Sequence, residues 1–397
     1  MLLRKIAIVT THPVQYNAPL FAYLSQLEGI DVRVFYTWGS EASGGVYDRG
    51  FGLERIWDIP LLSGYAYEFV PNTSSRPGSN HFRGVVNPSL IVRIRAYNPD
   101  MLLVFGWRFQ SHLRVLRYFH GRVPILFRGD STLLDEWGQP FLKKWLRRLF
   151  LKWVYRHVDY ALYAGKANHA YFTKLGLREA QLVFAPHAVD NDRFSDKGGV
   201  YEKKACSWRA ELGIEEKELV FLFAGKLEPK KDPVLLAEAF LALNAPSSRL
   251  IFVGNGLLEA SLKEKADKDK RILYIPFQNQ SLMPVVYRLG DVFVLPSKGP
   301  GETWGLAVNE AMASGRAVVV SDRCGCAADL VQEGANGYVF RAGDAGGLLA
   351  ILQTLYTERE RLGIMGKRSE AIIKDWNYGT IAEAVERLAS PLALPGR

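Results

Sequence analysis

Twelve short apolar runs, each followed by a stretch of helical periodicity, constrain this chain more than any other feature. The first half holds "KIAIVT", "VRVFY", "MLLVFG", "VPILFRG", "YALYAG" and "LVFAP". The second holds "LVFLFAG", "RLIFVG", "RILYIPF", "DVFVLPS", "AVVVSD" and "GYVF". Runs without polar alternation suit strands buried on both faces, and parallel strands need crossover helices between them. The pattern predicts an α/β chain of parallel, doubly wound sheets. At 397 residues the chain exceeds one ordinary core, so two Rossmann-like domains of six strands each are expected. The polar, glycine-containing stretch "DNDRFSDKGGVYEKKACSW" between the halves reads as a linker. The expected domains are 1–198 and 199–375, with a terminal segment 376–397.

Composition narrows the function classes. A hydrophobic content of 48% with 23% charged residues suits a soluble globular chain. No run approaches the roughly 18 apolar residues that would span a bilayer. "MLLRKIAIVT" is too short for a secretory signal and reads as a first strand. Cys206, Cys324 and Cys326 cannot make a disulfide framework, so a reducing, cytoplasmic setting is expected. The Cys-x-Cys pair lacks a second pair or a nearby histidine, and no metal is expected there. The net charge of +9 sits wholly in residues 1–198, with 25 Lys+Arg against 16 Asp+Glu; the remainder balances at 25 against 25. That asymmetry fits an anionic partner for the first half, or simply a basic solvated surface. No nucleic-acid recognition motif is visible, so nucleic acid is not an expected partner.

Ligands of doubly wound sheets bind beyond the carboxyl ends of the strands. The residues following the predicted strands include His12, Trp107, Asp130, Lys226, Asn255, Gln278 and Glu302, which would converge if two sheets face a central cleft. In "LFAGKLEPKKDPVLLAEAF", Lys226, Lys230 and Lys231 crowd the start of a helix. Cations oppose the helix dipole there, which suggests an anionic ligand, although a solvated lysine-rich turn has the same sequence. "SKGPGETWGLAVNEAMASG" supplies glycines for close backbone approach and free N–H groups around Thr303, Gly305 and Leu306 for phosphate oxygens. Glu302 precedes the predicted helix and Glu310 lies inside it among small residues, where a carboxylate needs a partner. Two carboxylates flanking a diphosphate suit a nucleotide sugar; a structural helix with one exposed glutamate is the alternative.

Residues from about 181 to 340 resemble glycosyltransferase family 4, retaining enzymes of the two-domain GT-B fold. "FAPHAVDNDRF", "AGKLEPKKDPVLLAEAF", "IFVGNG", "DVFVLPS" and "GETWGLAVNEAMASGRAVVVSD" are similar to ordered motifs of that family, the last to its pair of glutamates separated by seven residues. "THPVQYNAPLF" resembles a bacterial subgroup more loosely. The resemblance implies that Lys226 and Lys231 neutralise the donor diphosphate, Glu302 holds hydroxyls of the transferred sugar, and Glu310 holds the ribose. Thr303 and the backbone around Gly305 and Leu306 would meet phosphate. It also implies no cofactor and no metal, an acceptor-binding first domain, a donor-binding second domain, and a C-terminal helix that crosses back to the first. "DND" at 190–192 then falls in an inter-domain motif and is a coincidental match to a metal-binding Asp-x-Asp.

Three departures from the family pattern mark this chain. Lys226 stands where arginine is usual, giving charge without the bidentate fork. "THPVQYN" replaces a glycine pair; His12 is a candidate catalytic residue there, and Asn17 is expected to cap the following helix. "RGDS" replaces a common histidine, leaving Asp130 as the ionisable candidate or as a turn residue. "FLKKWLRRLFLKWVYRH", 141–157, predicts an amphipathic helix with six basic residues and no acid. A core-packed helix with a solvated basic face has this sequence, and so does a helix that meets an anionic membrane surface. Trp38, Trp57, Trp107 and Trp137 are expected mainly in core packing, with stacking on an acceptor sugar open to one or two. The implied activity is transfer of a hexosyl or N-acetylhexosaminyl group from a UDP-sugar to a glycan, lipid-linked or small-molecule acceptor. A nucleotide-sugar 2-epimerase of the same fold and a non-catalytic sugar-nucleotide binder are the alternatives.

Overall fold

The computed structural model describes residues 3–39, 46–48, 53–136 and 138–390; Trp137 lies outside them. Strands β1 (Arg4–Thr10) and β2 (Ile30–Tyr36) precede a small antiparallel hairpin of β3 (Val46–Asp48) and β4 (Leu53–Arg55). Then come β5 (Ala66–Phe69), β6 (Met101–Phe105), β7 (Ile125–Arg128), β8 (Tyr160–Tyr163) and β9 (Leu182–Phe184). One sheet runs in the order β5-β2-β1-β6-β7-β8-β9, and its pairings are parallel. The later strands are β10 (Leu219–Ala224), β11 (Ser248–Val253), β12 (Ile272–Ile275), β13 (Val292–Leu295), β14 (Ala317–Ser321) and β15 (Gly337–Phe340). They form a second parallel sheet, β12-β11-β10-β13-β14-β15. Every predicted apolar run is a strand. Central strands such as β10, β13 and β14 are buried along their whole length, because helices cover both faces of a parallel sheet. The sequence reading passes over β5, whose "AYEF" lies on a sheet edge, half exposed, and carries a charge.

The chain divides into two compact units: Met1–Gly44, Pro60–Pro186 and Tyr378–Arg397 form the first, Gly45–Ile59 and His187–Asn377 the second. The division after Pro186 lies upstream of residue 198, and hydrogen bonds explain it. On the first unit, buried Arg128 donates to the carbonyls of Ala185 (2.9 Å) and Pro186 (2.7 Å). On the second, Asn309 donates to His187 O (2.9 Å), Arg193 to Gln280 O (2.6 Å) and Arg288 to Phe194 O (2.8 Å). The chain is held tightly on both sides of one peptide bond. Residues 45–59 join the second unit because Asn279 donates to Ile56 O (2.7 Å) and Asp58 accepts from Ser281 N (3.0 Å). The helix Tyr378–Ala389 packs its buried Ile381, Val385 and Leu388 within the first unit, against the helix Ala18–Ser25 and β9.

Two local expectations fail. The stretch 190–208 is not an extended linker: Asp190 caps a short helix, Asn191–Phe194, by accepting from Arg193 N at 3.0 Å. A second helix, Val200–Glu211, follows Gly199 in the left-handed region. Ala205 is this helix's buried residue, so its sequence is as polar as a loop. Asn17 stands at the N-cap position but makes no side-chain cap bond. Its backbone is already helical, and Pro19 removes the N–H of the second helical residue, one of the two that a cap normally serves.

Candidate functional site

In the second sheet the chain order reverses between β10 and β13, which makes their carboxyl ends a topological switch point. The loop after β10 carries Gly225, Lys226 and the short turn Pro229–Lys231, which leads to the helix Pro233–Ala242. The loop after β13 carries Ser297 to Gly305 and leads to the helix Leu306–Ala313. The two loops meet. Lys231 Nζ donates to Glu302 Oε2 at 2.7 Å, and Ser297 Oγ donates to the same oxygen at 3.0 Å. The two charged side chains are 15% and 10% exposed, enough for an incoming ligand to reach them and too little for water to screen the pair fully. Lys298 anchors the junction again through Asp232, at 3.1 Å.

Backbone shape at this junction demands glycine. Gly305 has φ of 100° and caps the helix; a Cβ there would also press on Leu295 at 3.0 Å. At Gly254 a Cβ would sit 2.0 Å from the carbonyl of Gly225, so the loops after β10 and β11 pack backbone to backbone. The helix beginning at Leu306 has N–H groups in its first turn that no intrahelical carbonyl can reach. Gly305 and Leu306 open that first turn and Thr303 lies in the loop before it, which leads from the same sheet as the lysine turn. Trp304, 4% exposed, fixes this loop from below. Its indole N–H donates to Asn309 Oδ1 at 2.8 Å, and its ring stacks on Trp376 and leans on His187.

Glu310 is placed differently. It is 2% exposed, and the Tyr287 hydroxyl donates to its Oε2 at 2.6 Å. Tyr287 belongs to the buried helix Met283–Leu289 and is the partner that a mid-helix carboxylate requires. The cysteine pair is structural. Cys324 and Cys326 are buried, and burial, with Glu302's charge adding to it, pushes the Cys324 thiol up to about 12. Among the described residues, no group of three His, Cys, Asp or Glu side chains is arranged to hold a metal ion. Asn255, expected to face a ligand, instead ties strand ends together: it donates to Glu259 and Tyr274 and accepts from Phe277 N.

The remaining candidates belong to the first unit, whose order reverses between β1 and β6. His12 follows β1, with Nδ1 3.0 Å from Thr11 Oγ1 and its ring edge-on to Trp38. Asp130 follows β7 and acts electrostatically on Arg128, whose pKa burial lowers to about 10 against the raising effect of that carboxylate. Trp107 packs edge-on against Phe150. Sequence reasoning missed Arg128, Tyr287, Ser297 and His112. His112 is fully buried between Thr37 Oγ1 and the Phe105 carbonyl, and burial lowers its pKa to about 4. Ser297 stood within a quoted motif and was legible; the others take their roles from partners distant in sequence.

Two Rossmann-like domains of this topology make the GT-B fold. Anabaena HepE in complex with UDP matches with a TM-score of 0.72 at 17% identity over 97% of this chain and 98% of that one. WaaG, a glycosyltransferase involved in lipopolysaccharide biosynthesis, matches with a TM-score of 0.67 at 15% identity over 97% of this chain and 100% of its own. Residues 206–371 match the family model "Glycosyl transferases group 1". The sulfoquinovosyl transferase of Arabidopsis thaliana is 28% identical over 311 residues, 74% of this chain and 58% of that protein. An Escherichia coli α-1,3-galactosyltransferase acting from UDP-Gal on α-D-GlcNAc-diphosphoundecaprenol is 32% identical over 195 residues, 46% of each. The chain spans about half the length of the curated relatives it matches.

Proposed function

We propose that this chain is a retaining glycosyltransferase of family 4. It would move a hexosyl or N-acetylhexosaminyl group from a UDP-sugar to a glycan or lipid-linked acceptor, with no metal needed for the diphosphate. The observation that carries the reading is the Lys231–Glu302 pair at the β10/β13 switch point, beside the first turn of Leu306–Ala313. A diphosphate entering there takes Lys231 and Lys226 as counter-ions and the N–H groups around Thr303, Gly305 and Leu306 as donors. Losing Lys231 frees Glu302 to accept bonds from the sugar hydroxyls and to stabilise positive charge developing on the ring. Glu310, oriented by Tyr287, takes the ribose hydroxyls. Retention follows a front-face route: the acceptor hydroxyl attacks from the side of the leaving phosphate, and a phosphate oxygen accepts its proton. His12 and Asp130 remain the candidates for contact with the acceptor. HepE's complexes with UDP and UDP-glucose, and the UDP-Gal donor of the E. coli relative, favour uridine as the base. The proposed working place is the cytoplasmic face of a membrane.

A panel of nucleotide sugars, read by thermal shift and by slow donor hydrolysis, tests this. The true donor should raise the melting temperature through linkage of binding to folding, and the released sugar should keep its anomeric configuration. Absence of a shift with every nucleotide sugar, an inverted product, or a 2-epimerised donor would overturn it.

A further inference from the structure

The helix Phe141–Tyr155 turns its apolar stripe away from its own domain. Leu151, Val154 and Tyr155 are the residues it buries, with Tyr155 edge-on to Phe127 and Phe172. At 3.6 residues per turn these three share one side, and Leu142, Trp145, Leu146 and Leu149 lie opposite them. Those four are 64%, 49%, 53% and 46% exposed, and Phe141 and Phe150, at 81% and 41%, extend the same surface. Core packing, the other reading open from sequence, holds for Leu151, Val154 and Tyr155, with Trp153 half-buried beside them, and does not extend to Leu142, Trp145, Leu146 or Leu149. So many large apolar side chains on one outward face mark a docking surface.

The charges around the stripe identify what docks. Glu136, 4% exposed, accepts from Arg147 at 3.3 Å and from Arg148 Nε at 3.0 Å, holding both arginines toward the protein. Lys143, Lys152 and Arg156 flank the outward stripe, Lys144 lies further round, and none of the four has an acidic partner among the described residues. Residues 141–157 contain no acid. A second copy docking through the same face would bring these cations together, which argues against a dimer. The helix has 15 residues, and no helix among the described residues is long and apolar enough to cross a membrane. We infer that Phe141–Tyr155 lies in the plane of an anionic bilayer, with Leu142, Trp145, Leu146 and Leu149 inserted at the acyl boundary and Lys143, Lys152 and Arg156 among the headgroups. The inference rests on this exposed face and is independent of the transfer reaction.

Flotation of the full chain with vesicles tests it. Binding is expected to phosphatidylcholine vesicles containing one-third phosphatidylglycerol, weakly or not at all to pure phosphatidylcholine, with release in molar salt. Leu142→Gln/Leu146→Gln/Leu149→Gln should weaken binding at least about tenfold, and Lys143→Gln/Lys152→Gln about twentyfold. Both variants alter exposed positions, so unchanged circular dichroism and melting temperature will show that they fold. Trp145 emission should shift to the blue on anionic vesicles and be quenched by brominated lipid. Equal binding to both vesicle types, wild-type binding by the triple variant, or a dimer that the triple variant abolishes without vesicle binding would overturn the inference.

Discussion

Glu302→Gln separates the two jobs proposed for the donor loop. Glutamine keeps the size of the side chain and the hydrogen bond from Ser297, but removes the anionic partner of Lys231 at 2.7 Å. A charge-assisted bond contributes about 1.5–3 kcal/mol and a neutral one about 0.5–1.5, so the donor-free protein should lose about 1 kcal/mol of stability. The same 1 kcal/mol is what a diphosphate must overcome when it draws Lys231 away from Glu302. Free UDP should therefore bind the variant as well as the wild type or up to about fivefold more tightly. Turnover should move the other way, falling about 100-fold, because the lost carboxylate no longer stabilises charge on the transferred ring. Urea unfolding, calorimetry with UDP and steady-state rates with the donor give the three numbers independently. UDP affinity lowered by about tenfold, or turnover within about twofold of wild type, would refute the division of labour between Lys231 and Glu302.

Lys226→Ala and Lys231→Ala should each weaken UDP and the UDP-sugar together, by roughly 10- to 100-fold in calorimetry; unchanged UDP affinity would remove that lysine from the site. Glu310→Ala should weaken UDP and donor alike and also destabilise the fold by about 1–3 kcal/mol in urea, since the buried Tyr287 hydroxyl loses its acceptor. Normal UDP affinity in that variant would exclude Glu310 from the ribose. His112 predicts acid sensitivity: its pKa is about 4 in the folded protein, below the ordinary 6.5, so between those values the unfolded chain binds more protons. The stabilisation is complete above pH 6.5 and is lost as pH falls toward 4, by about 2 kcal/mol between about pH 7 and pH 5. His112→Gln should flatten that slope in paired urea titrations, and an unchanged slope would show that another group titrates.

The strands were legible because a parallel strand covered on both faces is written as an unbroken apolar run. The junction of Lys231 and Glu302 was legible as two motifs, and the switch point between β10 and β13 supplied the reason they meet. What was hidden depends on partners far along the chain. Nothing near Glu310 announces Tyr287, and nothing near Arg128 announces the carbonyls of Ala185 and Pro186. Polar sequence suggests a boundary near residue 198, but Val200–Glu211 is polar because it is a surface helix, and the division into compact units runs through the apolar "FAPHAV". Periodicity marked Phe141–Tyr155 as amphipathic but could not say which way the stripe points. That depended on Glu136 holding Arg147 and Arg148 inward.

Asn191 Nδ2 donates to the carbonyl of Ile373 at 2.9 Å and lies 3.4 Å from that of Trp376, so the second unit's long segment begins and ends at neighbouring points. In engineering terms His187–Asn377 is a cassette with adjoining ends. Joining ends already in contact costs little chain entropy, which suits the segment to circular permutation or to grafting between relatives. The hairpin segment Gly45–Ile59 would have to travel with it, because Asn279 and Ser281 are bonded to Ile56 and Asp58. A chimera exchanging only 187–377 would strand that segment on the wrong host, whereas one exchanging both pieces would keep its hydrogen bonds.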